Sequence, residues 1–132
     1  MNDLSKHVEE LAKKIKPPYY SRIEVDEGWY QLIIDCDKEL SKIDPKYDLF
    51  QVKEKFGGLR YYFQSSNPGL RDEMDAVVAR SEEIAGRTCE ATGKPGVLMR
   101  SVGNWFKTLN PEYAESTLHY AKYSQVKNKI EE

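Results

Sequence analysis

The sequence predicts an α+β protein: a short antiparallel sheet built on a central β-hairpin over about residues 49–64, packed against three to four helices. Three observations predict it. Apolar residues alternate on both sides of Gly57-Gly58 in FQVKEKFGGLRYYFQ, Phe50 to Gln64. Apolar residues recur at helical spacing before and after that stretch, bounded by Pro17-Pro18, Asp44-Pro45 and Asn67-Pro68. A run of turn residues, Cys89 to Gly96, then leads into a second short alternating stretch.

The chain of 132 residues is long enough for a single domain with a modest core, and is read as one over 1–132. Its formal charge of −2 argues against a generally basic nucleic-acid-binding domain, so any such role must rest on a local patch. No apolar run approaches the roughly 18 residues of a membrane span. The N-terminal stretch MNDLSKHVEELAKKI is amphipathic and charged, without the apolar centre of a signal peptide. A cytoplasmic protein is the expectation, and its reducing setting predicts free thiols at Cys36 and Cys89.

In chain order, Leu4, Val8, Leu11, Ala12 and Ile15 predict a first helix over 3–16, with His7 beside the stripe as an exposed histidine. Tyr19 to Val25 is a connector with room for a short extended piece. Asp26 is expected to cap a second helix, with Glu27 in its first turn. Its buried stripe is Trp29, Leu32, Ile33, Cys36, Leu40 and Ile43. Asp35, Asp37 and Glu39 read as its wet face before they read as a carboxylate site.

A two-residue Gly-Gly loop suits a primed turn, since both central residues take positive φ freely. Centred on Gly57-Gly58, the hairpin pairs Phe56 with Leu59, Lys55 with Arg60, Glu54 with Tyr61 and Lys53 with Tyr62. One face then holds Phe50, Val52, Phe56, Leu59, Tyr61 and Phe63 as core, with Glu54 turned the same way. The other holds Gln51, Lys53, Lys55, Arg60, Tyr62 and Gln64.

Asn67 and Pro68 open a third helix that runs to about Arg87, its stripe Leu70, Met74, Val77, Val78, Ser81, Ile84 and Ala85. After the knuckle-like turn, Val97 to Val102 and Trp105 to Leu109 predict a second hairpin around Gly103-Asn104. Asn110-Pro111 repeats the cap-plus-proline start and predicts a terminal helix over 111–127, docked through Tyr113, Leu118, Tyr120, Ala121, Tyr123 and Val126.

QVKEKFGGLRYYF, an amphipathic helix, TCEATGKPG and NWFKTLNPEYA together resemble a family of short, functionally uncharacterised proteins of bacteria and their phages. The resemblance covers about residues 28–115, with the helices at 3–16 and 111–127 as additions. It implies that 88–110 corresponds to a zinc knuckle, Cys-x-x-Cys followed by Cys-x-x-His. Those four positions fall here on Cys89, Thr92, Asn110 and Tyr113, and only the first is a good ligand. The resemblance therefore implies a degenerate knuckle without metal, its turn kept by Gly93, Pro95, Gly96 and Trp105 and closed by packing and hydrogen bonds. It supplies no activity.

Nothing in the spacing signals catalysis. His7 and His119 stand near opposite ends, and no GxSxG, HExxH, P-loop or dinucleotide fingerprint is present, so no catalytic residue, metal or cofactor is assigned. Glu54, turned toward the core face, is the one carboxylate in an unusual setting and supports a hydrolase only weakly. The hairpin's outward face says more. Lys53, Lys55, Arg60 and Tyr62 form a basic-aromatic patch suited to an acidic protein surface, or to a nucleotide or nucleic acid. Nearby acids such as Asp72 or Asp75 would neutralise it if they reach it, and edge lysines also discourage aggregation. The expected function is a small non-catalytic interaction protein that binds a macromolecular partner through this patch. By resemblance it would be a phage-encoded modulator of a host system, and a dimer stays open.

Overall fold

The computed structural model describes residues 3–17 and 22–126. Among them the order is α1 (Asp3–Ala12), β1 (Ile23–Glu24), α2 (Tyr30–Ile43), β2 (Asp48–Lys55), β3 (Gly58–Gln64), α3 (Arg71–Ala85), β4 (Val97–Arg100), β5 (Phe106–Leu109), α4 (Pro111–Ser116) and β6 (Ser124–Gln125). The fold is α+β, with two three-stranded sheets ordered β1-β2-β3 and β5-β4-β6. Among the described residues no helix is long and apolar enough to cross a membrane.

Helix α1 buries Val8, Leu11 and Ala12 as its spacing requires. It stops at Ala12 rather than residue 16. Ile15 leaves the helical path to bridge Leu49 in parallel, and is buried there. Part of the connector, 18–21, lies outside the described residues. Its end is β1, which pairs parallel to β2, Ile23 with Val52 and Glu24 with Lys53, so the first sheet is mixed rather than wholly antiparallel.

A 3-10 turn, Glu27–Trp29, precedes α2. The Asp26 side chain does not cap it; its carboxylate instead meets Lys107 at 3.1 Å. Trp29, Ile33, Ile34, Cys36 and Leu40 are buried, with Leu32 and Ile43 packed at the margin. Asp44 ends the helix and is itself buried. Its carboxylate accepts the Ser66 N–H and hydroxyl, both at 2.7 Å, and the Lys46 N–H at 3.1 Å. Those bonds, the Ser66 hydroxyl foremost, hold its carboxyl below the usual range.

The hairpin forms in a different register. Its turn is Phe56-Gly57, at φ +55° and +83°, closed by Lys55 opposite Gly58. Glu54 then faces Leu59, Lys53 faces Arg60, and Val52 faces Tyr61. Because both strands advance together, every residue up to Gln51 keeps its predicted face. A bulge between Leu49 and Gln51 puts Leu49 in the core opposite Phe63, where Phe50 was expected. Phe56 leaves the core face and is 69% exposed. The hairpin core packs on α2 and on α3, which buries Met74, Val77, Val78, Ser81 and Ala85. Asn67 caps the 3-10 turn before α3, Pro68–Leu70, by accepting the Gly69 N–H at 2.8 Å.

The second sheet is smaller than predicted. Strands β4 and β5 stop short of Val102 and Trp105, leaving both exposed in the turn, where Asn104 takes φ +63°. The terminal helix is one short piece, α4, capped by Asn110. Thr117 is extended, turns follow, and β6 pairs with β4, Met99 with Gln125 and Arg100 with Ser124. This edge pairing replaces the helical continuation; Leu118 and Ala121, expected to dock, are exposed. Lys127 lies outside the described residues.

The two sheets are joined around Glu90. The Gly28 N–H donates to the Glu90 carbonyl at 2.7 Å, the Asp26 N–H to Glu90 Oε2 at 3.0 Å, and the Trp29 indole to the Thr88 carbonyl at 2.8 Å. At the hairpin tip, the buried Thr108 hydroxyl donates to the Gly57 carbonyl at 2.8 Å. Glu90 is 1% exposed, and its Oε1 meets Lys107 Nζ at 3.0 Å as an ion pair, without a well-aligned hydrogen bond to that oxygen. Burial pushes the Glu90 carboxyl up. Burial also opposes the Lys107 charge, but Glu90 and Asp26 together outweigh it and hold that ammonium above its ordinary value. The partners differ because Lys107 faces two carboxylates, whereas Glu90 is almost wholly desolvated and faces one ammonium.

Candidate functional site: a cationic hairpin face and an aromatic cleft

The pleat puts Lys53, Lys55, Arg60 and Tyr62 on one face of the first sheet. Lys53 and Arg60 are directly opposite, a like-charge pair that an isolated sheet disfavours. Lys53 Nζ lies 5.9 Å from the Tyr62 ring centroid, and Tyr62 is 42% exposed. Among the described residues no ion pair involves Lys53, Lys55 or Arg60. Asp75 is taken up by Arg71 at 2.9 Å, and Asp72 forms no ion pair there either. The acid that does adjoin the patch is Glu24, next to Lys53 in the β1-β2 pairing.

The shifted turn extends this face in a way the sequence reading missed. Lys55 Nζ sits 5.7 Å from the ring centroid of Phe56, which the turn lifts into solvent. Across a cleft of about 450 Å³ stand Trp105, 75% exposed, and Phe106. The cleft's other walls are Glu54, Lys55, Gly103 and Asn104, so the tips of the two hairpins form its rims. A bulky residue at φ +55° is strained by about 1 kcal/mol or more. Replacing Phe56 with Asn, which tolerates that conformation, is expected to leave stability unchanged or raise it by about 1 kcal/mol in urea unfolding.

Glu54 lies opposite Leu59 rather than Tyr61. Its Oε2 accepts the Gly57 N–H at 2.7 Å, so the carboxylate is committed to the turn. Tyr61 instead shares a hydrogen bond of 2.7 Å with Tyr47, whose hydroxyl also donates to Asp37. His7 stands with Lys14 and Asp37 beside α2, while His119 packs edge-on to Tyr120 at 4.5 Å. Cys36 and Cys89 are free and buried, and burial pushes the Cys36 thiol up to about 12, where it is protonated at neutral pH.

In the knuckle, Cys89 is buried, its carbonyl accepting the Gly93 N–H at 2.8 Å and its N–H donating to the Lys94 carbonyl at 2.7 Å. Thr92 Oγ1 accepts the Lys94 N–H at 3.2 Å. Asn110 accepts the Tyr113 N–H at 3.0 Å and donates through Nδ2 to the Pro95 carbonyl at 2.9 Å, tying the loop to α4. Among the described residues no group of three or more His, Cys, Asp or Glu is placed to hold a metal ion.

Fold and face together define a small α+β protein carrying a cationic patch, without an ion pair among the described residues, that runs into an aromatic cleft. No family model, curated protein or solved structure matches the chain.

Proposed function

We propose that this chain is a small non-catalytic interaction protein that grips an acidic protein surface through Lys53, Lys55, Arg60 and Tyr62. Phe56 and Trp105 supply the apolar anchor of the same interface. The observation that carries this reading is the continuity of three cations, none in an ion pair among the described residues, with two aromatic side chains left in solvent at adjoining hairpin tips. Following the resemblance to bacterial and phage proteins, the partner would be a host or phage protein, and the chain a phage-encoded modulator.

The net charge of −2 is unlike the generally basic character of nucleic-acid-binding domains, and this supports a protein partner over nucleic acid. The test is a pull-down from bacterial lysate with the purified chain beside its Lys53→Glu/Arg60→Glu variant. A protein captured by the parent and lost by the folded variant is the expected result. A nucleotide or oligonucleotide co-purifying instead, with binding that falls steeply with salt, would replace this reading with a nucleic-acid one. Unchanged capture by the variant would remove the face from the function. A hydrolase using Glu54 is the weaker alternative, because its carboxylate already accepts a turn N–H.

A further inference from the structure

The cleft between the hairpin tips is built before any guest arrives. The Thr108 hydroxyl donates to the Gly57 carbonyl at 2.8 Å, which ties the first tip to β5. The second tip is closed on itself: the Ser101 N–H donates to the Trp105 carbonyl at 2.9 Å, and the Trp105 N–H to Ser101 Oγ at 3.0 Å. Phe56 and Trp105 thus stand in solvent on rims held by backbone and hydroxyl groups, and binding between them orders little that is not already ordered.

Charge is divided along this surface. Glu54, on the cleft wall, keeps its carboxylate on the Gly57 N–H at 2.7 Å. An acidic side chain would be repelled there, whereas an apolar one suits Phe56, Trp105 and Phe106. Cations begin at the edge of the cleft. Lys55 lines it and lies opposite Gly58, which has no side chain to cover the lysine. Two residues back along β2, Lys53 faces Arg60, with Glu24 alongside. None of the three cations has an ion pair among the described residues. Side chains on one face of a strand repeat about every 6.6 Å, so Lys55 and then Lys53 form a row of that period leading away from the cleft.

We infer that the occupant is one extended acidic peptide segment, with an apolar side chain in the cleft and acidic side chains two and four residues away over Lys55 and over the Lys53–Arg60 pair. An extended chain repeats its side chains with the same period as the row of cations, so three alternate residues engage together. Both chain directions keep this spacing. The assignment rests on the interface proposed above and narrows it from an acidic surface to a single linear segment.

The test uses the whole chain. Of its two tryptophans Trp29 is fully buried and Trp105 is 75% exposed, so acrylamide quenches the emission of Trp105. The probes are the acetylated and amidated peptides Phe-Ser-Glu-Ser-Glu and Glu-Ser-Glu-Ser-Phe. Saturable protection of Trp105 by at least one of them is expected. Alanine in place of phenylalanine, glutamine in place of both glutamates, or the shifted order Phe-Glu-Ser-Glu-Ser and its reverse should each weaken binding at least about fivefold. Phe56→Asn should weaken it as much, and Lys53→Gln/Lys55→Gln should weaken it and flatten its dependence on salt, with unchanged Trp29 emission as the check of fold. No protection by either peptide, equal binding of any control peptide, or tighter binding of oligothymidylate would each overturn the assignment. The broader reading fails separately. A lysate protein captured by the parent and lost by Lys53→Glu/Arg60→Glu, with both peptides inactive, removes the linear segment and keeps the interface; failure of capture and peptides alike removes both.

Discussion

Replacing Lys107 with methionine should lower the free energy of unfolding by about 3–5 kcal/mol at neutral pH, because it strands a buried carboxylate. Glu90 is 1% exposed, and Lys107 is the cation 3.0 Å from its Oε1. Without that ammonium, Oε2 keeps the Asp26 N–H but Oε1 has nothing of opposite charge. The loss should depend on pH. A carboxyl raised in the folded state is neutral below its unfolded value of about 4.3, and the stability present there is lost as pH rises through the raised folded value. Urea unfolding of Lys107→Met should therefore show a protein that strengthens as the pH is lowered from 7 toward about 5. Adding Glu90→Gln, which still accepts the Asp26 N–H, should restore much of the loss at pH 7. A single variant within about 1 kcal/mol of the parent, with no pH dependence, would contradict the account.

Gly28→Ala should cost a similar amount for a steric reason. A Cβ at Gly28 would lie 2.2 Å from the Cys89 carbonyl oxygen and 2.4 Å from that of Glu90, both backbone atoms that cannot swing aside. Relief requires the turn before α2 to part from the knuckle. That stretches the Gly28-to-Glu90 hydrogen bond and the neighbouring bonds from Asp26 and the Trp29 indole. Overpacking of about 1–3 kcal/mol, with about 1 kcal/mol for each of the three hydrogen bonds, gives about 4–6 kcal/mol when all three are lost. The signature is a lower urea midpoint at unchanged slope; a midpoint equal to the parent's would mean that the close approach is easily relaxed.

The helical stripes and the hairpin were legible because their periods come from burial, which a single chain displays directly. Val8 and Leu11, Ile33 and Leu40, Met74 and Val78 all lie where 3.6-residue spacing puts them. The turn position was not legible. Gly57-Gly58 and Phe56-Gly57 give the same faces, so alternation cannot separate them. Long-range packing decides: Gly57 offers its carbonyl to Thr108, and a Cβ there would lie 2.6 Å from Leu98 Cδ1.

The candidate site was accordingly half legible. Lys53, Lys55, Arg60 and Tyr62 follow from strand parity alone. Phe56 and Trp105 join them only because the two hairpin tips meet in space, and the one local hint was an aromatic residue beside each turn glycine or asparagine. The terminal helix failed for the same reason. Its tyrosines repeat at helical spacing, but pairing of Ser124 and Gln125 with β4 satisfies backbone groups that no local pattern reveals.

The junction around Glu90 also bears on the order in which the molecule comes apart. The second sheet's own core rests on four buried side chains among the described residues, Cys89, Met99, Leu109 and Ala114. Its ties to the first sheet join positions more than fifty residues apart, such as Gly57 with Thr108 and Gly28 with Glu90. Contacts so distant in sequence close late, and a unit with so little apolar support opens early. Amide exchange should therefore be faster across β4 and β5 than across β2 and β3. The proposed binding surface then has a durable half and a transient half: the cations sit on the strand pair expected to open last, while the Trp105 rim is withdrawn whenever the smaller sheet lets go.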